Sequence, residues 1–390
     1  MMANLLLLVL MASVAMAWSP RYWPVALLHT GIFALGSAWL IAPKRRSINW
    51  SLPTVAIAGL AALIGIWGAF QLLAGTSVYR FQTIRAWLYW SANAVVLLLA
   101  WQLFRDGPVR RNFLTGLAYS AGVVAVVGIV QYFTSPYRVY WIFPVPQHAR
   151  AVGPFVYRNQ FAALVELVLP VVLYRVLQDR RHRWLPAMLA AVLLAVVIAT
   201  ASRAGTLLVA GEMLLIFALA WSRDMLSTRT LAWVFAQVIA LAVAFTLIVG
   251  FQEVWSRFQQ TNPYALRGKL TRSTLEMIRG RPLMGYGLGT WQTVYPQFAT
   301  FDNSLVANEA HNDWAQWTAE GGIFFGLALA AFAAAAGVLA WRTIWGLGVV
   351  FVFLHSFIDY PLREPVIAAI LFVLIGAMLA ADTEARARDT

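Results

Sequence analysis

Apolar residues in this chain neither alternate at a period of two nor keep to one helical stripe. They fill whole runs, about 4–18, 23–42, 52–74, 83–104, 112–133, 161–177, 185–202, 204–222, 231–251, 314–341, 344–359 and 366–381. A helix apolar on every side needs a nonpolar surround, and about 20 such residues cross the roughly 30 Å of bilayer hydrocarbon at 1.5 Å per residue. The pattern therefore predicts an all-α, polytopic membrane protein with about twelve transmembrane helices in a single integral membrane domain, 1–390. An even number of spans puts both termini on one side.

Most connections between runs are short, and two are long. One, 134–160, carries Pro136, Pro144, Pro146 and Pro154 with aromatics between them; the other spans 252–312. Loops of that length are functional or disordered. The second contains Trp255, Phe258, Leu266, Leu270, Leu275, Met277 and Ile278, which argues against disorder and for short amphipathic helices lying on the membrane surface. The first run ends in Ala15-Met16-Ala17, a signal-peptidase-like triplet, but no Lys or Arg precedes it, so an uncleaved first helix is expected. No internal repeat and no polar linker marks a second domain.

Composition agrees: 61% of the 390 residues are hydrophobic and 12% charged, against about half and a quarter in soluble domains. A water-soluble enzyme is excluded. With no cysteine, disulfides, thiolate metal sites and a cysteine nucleophile are excluded as well. The net charge of +13 would suggest nucleic acid in a soluble protein, but here the basic residues sit in or beside a membrane, so sidedness decides what they mean. Cytoplasmic termini put Lys44, Arg45 and Arg46, then Arg105, Arg110 and Arg111, then Arg175, Arg180, Arg181 and Arg183 in short inside loops, as the positive-inside rule requires. Of the 29 basic residues, fourteen nevertheless fall outside, nearly all of them arginine, against eight outside acids. Arginines that snorkel to headgroups explain single members; a cluster fits an anion such as a diphosphate, which several guanidinium forks match.

Five segments carry the candidate chemistry. Gly153–Ala162 (GPFVYRNQFA) leads from the first long loop into a span and sets Arg158 and Asn159 at the outer boundary, with Asn159 a candidate helix cap. Thr200–Gly205 (TASRAG) sets Arg203 at the mouth of a helix hairpin, where it either snorkels or holds a ligand. Glu166 and Glu212, inside spans, read as structural partners of arginines. Leu266–Trp291 joins a basic amphipathic helix, with Arg267 and Lys269, to a turn with Gly285, Gly287 and Gly289. No strand precedes those glycines, so a nucleotide loop is disfavoured, and positive φ or close backbone approach accounts for them better. Ala310–Gly322 (AHNDWAQWTAEGG) places His311 where the long loop re-enters the membrane. A histidine there is a structural hydrogen-bonding residue or a proton acceptor; Glu320, nine residues on, is too far along the helix to touch it. No further histidine or carboxylate stands at a metal-ligand spacing and no DxD pair is present, so a metal-independent reaction is expected. In His355–Pro365 (HSFIDYPLREP), His355 and Asp359 lie one turn apart and suggest a buried structural pair.

In this order, the five segments resemble the O-antigen ligase and polymerase superfamily of GT-C-type membrane glycosyltransferases, from about 150 to the C terminus. The His311-Asn312 pair followed by Glu320-Gly321-Gly322, and the Pro282–Gly289 run with its upstream arginine, are the most specific parts. The resemblance implies a bacterial inner-membrane enzyme with a periplasmic active site that uses an undecaprenyl-diphosphate-linked glycan, with no cofactor and no nucleic acid partner, embedded in membrane lipids. Ligases transfer the glycan to the lipid A core; polymerases extend one lipid-linked chain with another, and relatives glycosylate proteins. It further implies that Arg203 and Arg267 bind the diphosphate, with Arg158 and Lys269 as weaker candidates, that His311 activates the acceptor, and that Asn159, Asn312, Glu320, Gly285 and Gly287 support the site. Gln160 stands where many relatives have histidine, and the first 130 residues match only in hydropathy. A lipid-linked glycan transporter would also need a basic polyprenyl-diphosphate site, but paired inverted repeats are not seen.

Overall fold

The computed structural model describes all residues except 43–50, 146–151, 180–181, 250–254, 256–258, 260–264, 302–305 and 390. Lys44, Arg45, Arg46, Pro146, Arg180, Arg181 and Phe258, named above, lie outside the described residues. The described helices are α1 (Met2–Ala15), α2 (Trp23–Ile41), α3 (Leu52–Leu73), α4 (Arg80–Leu103), α5 (Gly107–Thr134), α6 (Arg158–Gln178), α7 (Trp184–Ala199), α8 (Arg203–Ser222), α9 (Thr228–Val249), α10 (Ala265–Gly280), α11 (Trp291–Val294), α12 (Asp313–Thr343), α13 (Gly348–His355) and α14 (Pro365–Asp389). In the first long loop, Arg138–Val139 and Phe143–Pro144 form a small antiparallel ribbon.

Each predicted apolar run contains a helix, and the chain is an all-α polytopic membrane protein. Among the described residues, eight helices are long and apolar enough to cross a membrane, namely α2–α6, α8, α12 and α14; α1, α7 and residues 228–244 are shorter apolar helices. The run 344–359 departs from expectation. Only Gly348–His355 is helical there, about 12 Å of helix at 1.5 Å per residue, because the polar groups from His355 to Asp359 turn the chain before it can cross.

The chain divides into two compact units. The first comprises Met1–Leu28, Asp106–Gln260 and Ala340–Val352; the second comprises His29–Arg105, Thr261–Leu339 and Phe353–Thr390. In the first, α6 is the central helix: 83% of its most apolar window is buried, and it packs against α5, α7 and α8. Three helix starts there have side-chain caps, the longest being that of Ser227, which accepts from the Thr230 amide at 3.3 Å ahead of α9. Asp106 accepts from the Val109 amide at 3.1 Å ahead of α5, and Ser202 accepts from the Gly205 amide at 3.1 Å ahead of α8, each satisfying a donor left free by the first helical turn. In the second unit α14 is as deeply buried as α6, and it packs on α4, which packs on α3.

Helix α10 was expected to lie on the membrane with its apolar residues together. Leu266, Leu270 and Met277 share one face at 100° per residue, Ile278 packs beside it, and Leu275 lies opposite. Leu270 and Met277 are buried with Tyr286, Trp291, Val294, Tyr295, Ala310 and Ala319 in a satellite core, whereas Leu266 and Leu275 are exposed. The Trp291 indole fixes this packing by donating to the Thr274 hydroxyl at 3.0 Å. Trp255, from the same set, is exposed.

Candidate active site

In the second unit, the turn after α13 brings Asp359 to His311 and Arg267. The Asp359 carboxylate is fully buried; Oδ1 lies 3.2 Å from His311 Nδ1 and accepts from the Tyr360 amide at 3.0 Å, while Oδ2 accepts from Arg267 Nη2 at 2.9 Å. A second arm of the Arg267 fork, Nη1, donates to the Ile358 carbonyl at 3.0 Å, so the guanidinium is held at two points of one turn. Burial alone would raise the Asp359 pKa. The His311 hydrogen bond and the charges of Arg267, His311 and His355 outweigh it and hold the carboxyl below its ordinary value. Asp359 is therefore an anion at neutral pH, beside one fixed cation and one imidazole.

His311 itself has φ 55°, in the left-handed region that a non-glycine residue adopts at a cost of order 1–3 kcal/mol. Its ring stands edge-on to Tyr360, centroids 4.8 Å apart. A carboxylate accepting from Nδ1–H fixes the imidazole tautomer and leaves Nε2 as the basic nitrogen. The next residue, Asn312, accepts from the Ala315 amide at 3.0 Å and so caps α12.

A second charged group lies under this turn. Arg363 donates from Nη2 to Glu320 Oε2 at 3.2 Å, and its Nε lies 3.5 Å from Asp313 and 3.6 Å from Glu309. Glu320 also accepts from the Trp291 amide and from Gln316 Nε2, both at 3.3 Å. Burial works against the Arg363 charge, but the three carboxylates overcome it and raise its pKa; Glu309 is raised chiefly by burial. Arg363, a basic residue of the His355–Pro365 segment, thus holds acids of this chain, and Glu320 is its partner.

The glycines form a backbone joint. Helix α12 breaks at Gly322, φ 80° and ψ 174°, and the freed carbonyls find donors elsewhere. Ala319 and Glu320 accept from the amides of Tyr286 and Gly287 at 3.2 and 2.9 Å, Gly321 accepts from Trp67 Nε1 at 2.9 Å, and Gln71 Nε2 donates to both Glu320 and Met284. Gly285, φ 66°, has no room for a side chain: a Cβ would sit 2.4 Å from the Glu320 carbonyl oxygen. Close approach and positive φ are both realised.

Of the remaining candidates in this unit, Lys269 lies with its ammonium 5.2 Å from the centroid of the Phe301 ring. In the first unit, Arg158 and Arg203 are the first residues of α6 and α8. These helices start side by side, because Gly205 abuts Ala162 so closely that a Cβ would lie 2.4 Å away. Both guanidiniums thus belong to the same end of one helix pair. Asn159 is not the cap: that position is Tyr157, and Asn159 sits inside the first turn, buried, donating to the Tyr157 hydroxyl at 3.1 Å. Glu212 is fully buried, and the charged neighbour it meets among the described residues is Glu166.

Asp359 is the member of this cluster that its sequence context pairs with a different residue. His355, four residues earlier, offered a local partner; the contact with His311 joins segments 48 residues apart. Residues 187–331 match the family model described as O-antigen ligase. That stretch contains Arg203, Arg267, Lys269, His311 and Glu320, and stops before Asp359 and Arg363. No curated protein matches the chain.

Proposed function

We propose that this chain, which belongs to the O-antigen ligase/polymerase superfamily through residues 187–331, is a ligase: it moves a glycan from undecaprenyl diphosphate to a hydroxyl of the lipid A core at the periplasmic face of the bacterial inner membrane, with both of its termini cytoplasmic. The observation that carries this reading is His311 held by the buried Asp359 carboxylate with Arg267 on the other oxygen. A hydroxyl is a poor nucleophile until a base takes its proton, and a diphosphate is a good leaving group once cations neutralise it.

In the proposed step the acceptor oxygen attacks the anomeric carbon from the face opposite the diphosphate. Its proton passes to His311 Nε2, and Asp359 stabilises the imidazolium through Nδ1–H. The bond from the anomeric carbon to the phosphate oxygen breaks, its electron pair stays on the departing diphosphate, and the configuration inverts. Arg267, pre-oriented by Asp359 and the Ile358 carbonyl, and Arg203, placed at N1 of α8 by the Ser202 cap, are the diphosphate-binding residues; Arg158 and Lys269 are auxiliary. Neutralisation by arginine makes the reaction metal-independent.

The test is a purified reaction containing an undecaprenyl-diphosphate glycan and two competing acceptors, lipid A core and a second lipid-linked glycan. Glycosylated lipid A core is the expected product. Elongated lipid-linked glycan would make the chain a polymerase, and consumption of neither acceptor would overturn the reading.

A further inference from the structure

Away from these residues, the first unit contains a cavity of about 320 Å³ between α5, α6 and the start of α7. Its lining combines apolar Ala118, Val172, Leu185 and Leu189 with polar Arg175, Gln178, Asp179 and His182. The depth of the cavity is set by the helices. Arg175 lies in the last turn of the 21-residue α6, and a helix of that length spans roughly the 30 Å of hydrocarbon, so the guanidinium sits at the level of the headgroups. An aromatic residue marks the same level: Trp184, at the start of α7, is 60% exposed, as in the interfacial belts of membrane proteins.

The guanidinium is fixed by its own unit. Arg175 Nη2 donates to the Arg111 carbonyl at 3.3 Å and to the Thr115 hydroxyl, both on α5. These bonds use one nitrogen of a group with five N–H donors and leave an oriented arm on the cavity. Asp179 also lines the cavity; its carboxylate accepts from the His182 amide at 2.8 Å and its charge acts on Arg175, while Arg110, Arg111 and Arg183 in the same connections leave the local balance positive.

We propose that this cavity binds the phosphate headgroup of an anionic membrane phospholipid, with Arg175 on the phosphate and an acyl chain along Leu185 and Leu189. A fixed cation at headgroup depth beside an apolar wall matches both parts of such a molecule. A zwitterionic lipid brings its own cation to Arg175, so anionic lipids are selected.

The experiment uses the full chain in lipid nanodiscs, with bound phosphatidylglycerol and phosphatidylcholine compared by native mass spectrometry. Phosphatidylglycerol should be retained at least about tenfold over phosphatidylcholine by the wild-type chain, since charge-assisted hydrogen bonds are the strong ones. Arg175→Gln should abolish that preference, and Arg21→Gln, at an exposed site elsewhere, should preserve it. His182→Glu puts a carboxylate at an exposed rim position, leaves the packing alone, and should weaken retention about tenfold; it decides the question if Arg175→Gln fails to fold. Equal retention of both lipids by the wild-type chain, or an undiminished preference in folded His182→Glu, would overturn the proposal. Displacement of the lipid by millimolar inorganic phosphate would also overturn it, by making this a site for a soluble anion.

Discussion

Replacing Asp359 by asparagine keeps the shape of a buried side chain and removes its charge. In the native turn, Oδ1 serves two donors, His311 Nδ1 at 3.2 Å and the Tyr360 amide at 3.0 Å, and Oδ2 serves Arg267 at 2.9 Å. An amide has one oxygen, so one side must fail. If the oxygen stays on His311 and Tyr360, the new NH2 faces the guanidinium, donor against donor, and Arg267 loses its anchor. If it turns to Arg267, the NH2 meets His311 Nδ1, which must then become the acceptor, and the proton moves to Nε2 where the base is needed. Hydrogen bonds to charged groups contribute about 1.5–3 kcal/mol, and with Arg267 at 23% side-chain exposure the lower half of that range applies. Adding the loss of imidazolium stabilisation gives a barrier increase of about 2.7 kcal/mol, or a hundredfold in turnover. The assay is initial-rate transfer from a lipid-linked glycan donor to a labelled acceptor, with kcat and KM resolved. The loss should fall mainly on kcat. A folded Asp359→Asn variant that turns over within about threefold of wild type would refute the reasoning.

Gly322→Ala should destabilise the chain, because a Cβ there would lie 2.0 Å from the Leu283 carbonyl oxygen at φ 80°; strained φ alone costs about 1–3 kcal/mol. Gly59→Ala, where a Cβ meets nothing within 4 Å, should leave the thermal midpoint in detergent unchanged. Arg363→Met leaves Glu309, Asp313 and Glu320 without their shared cation and should cost about 3–5 kcal/mol, with Glu309→Gln recovering part of the lost midpoint. Because the folded Asp359 carboxyl is held below its ordinary value, its contribution to stability is complete above the unfolded pKa of about 3.9 and is lost as pH falls through the still lower folded one. The midpoint gap between wild type and Asp359→Ala should therefore stay constant from pH 5 to 8 and close in stronger acid.

The membrane architecture was legible because the signal, whole runs of apolar residues, is local and repeated in every span. It failed at 344–359, where hydropathy alone does not weigh the turn that His355 and Asp359 make. The place of Arg203 at the mouth of a helix hairpin was legible through the small residues around it, and that of His311 through the point where the long loop re-enters the membrane. Asp359 was not, because a nearer partner was offered at four residues and the contact with His311 is long-range. Arg363 looked like one more outside cation. Its real partners, Glu309, Asp313 and Glu320, recur at near-helical spacing with Gln316 between them, and that stripe of acids leading into α12 was the available sign that a buried cation faces it. The glycine turn was read for its backbone freedom, but nothing local says that the surface it fits is the break at Gly322.

The central claim is that His311 Nε2 takes the acceptor proton while the arginines hold the diphosphate. Its most direct measurement is single-turnover glycan transfer by His311→Ala with donor binding followed in parallel. The account predicts loss of transfer by at least about a hundredfold with the donor still bound at wild-type affinity. Transfer at the wild-type rate, across a pH series and with normal folding, would contradict it and return His311 to a structural role in the turn.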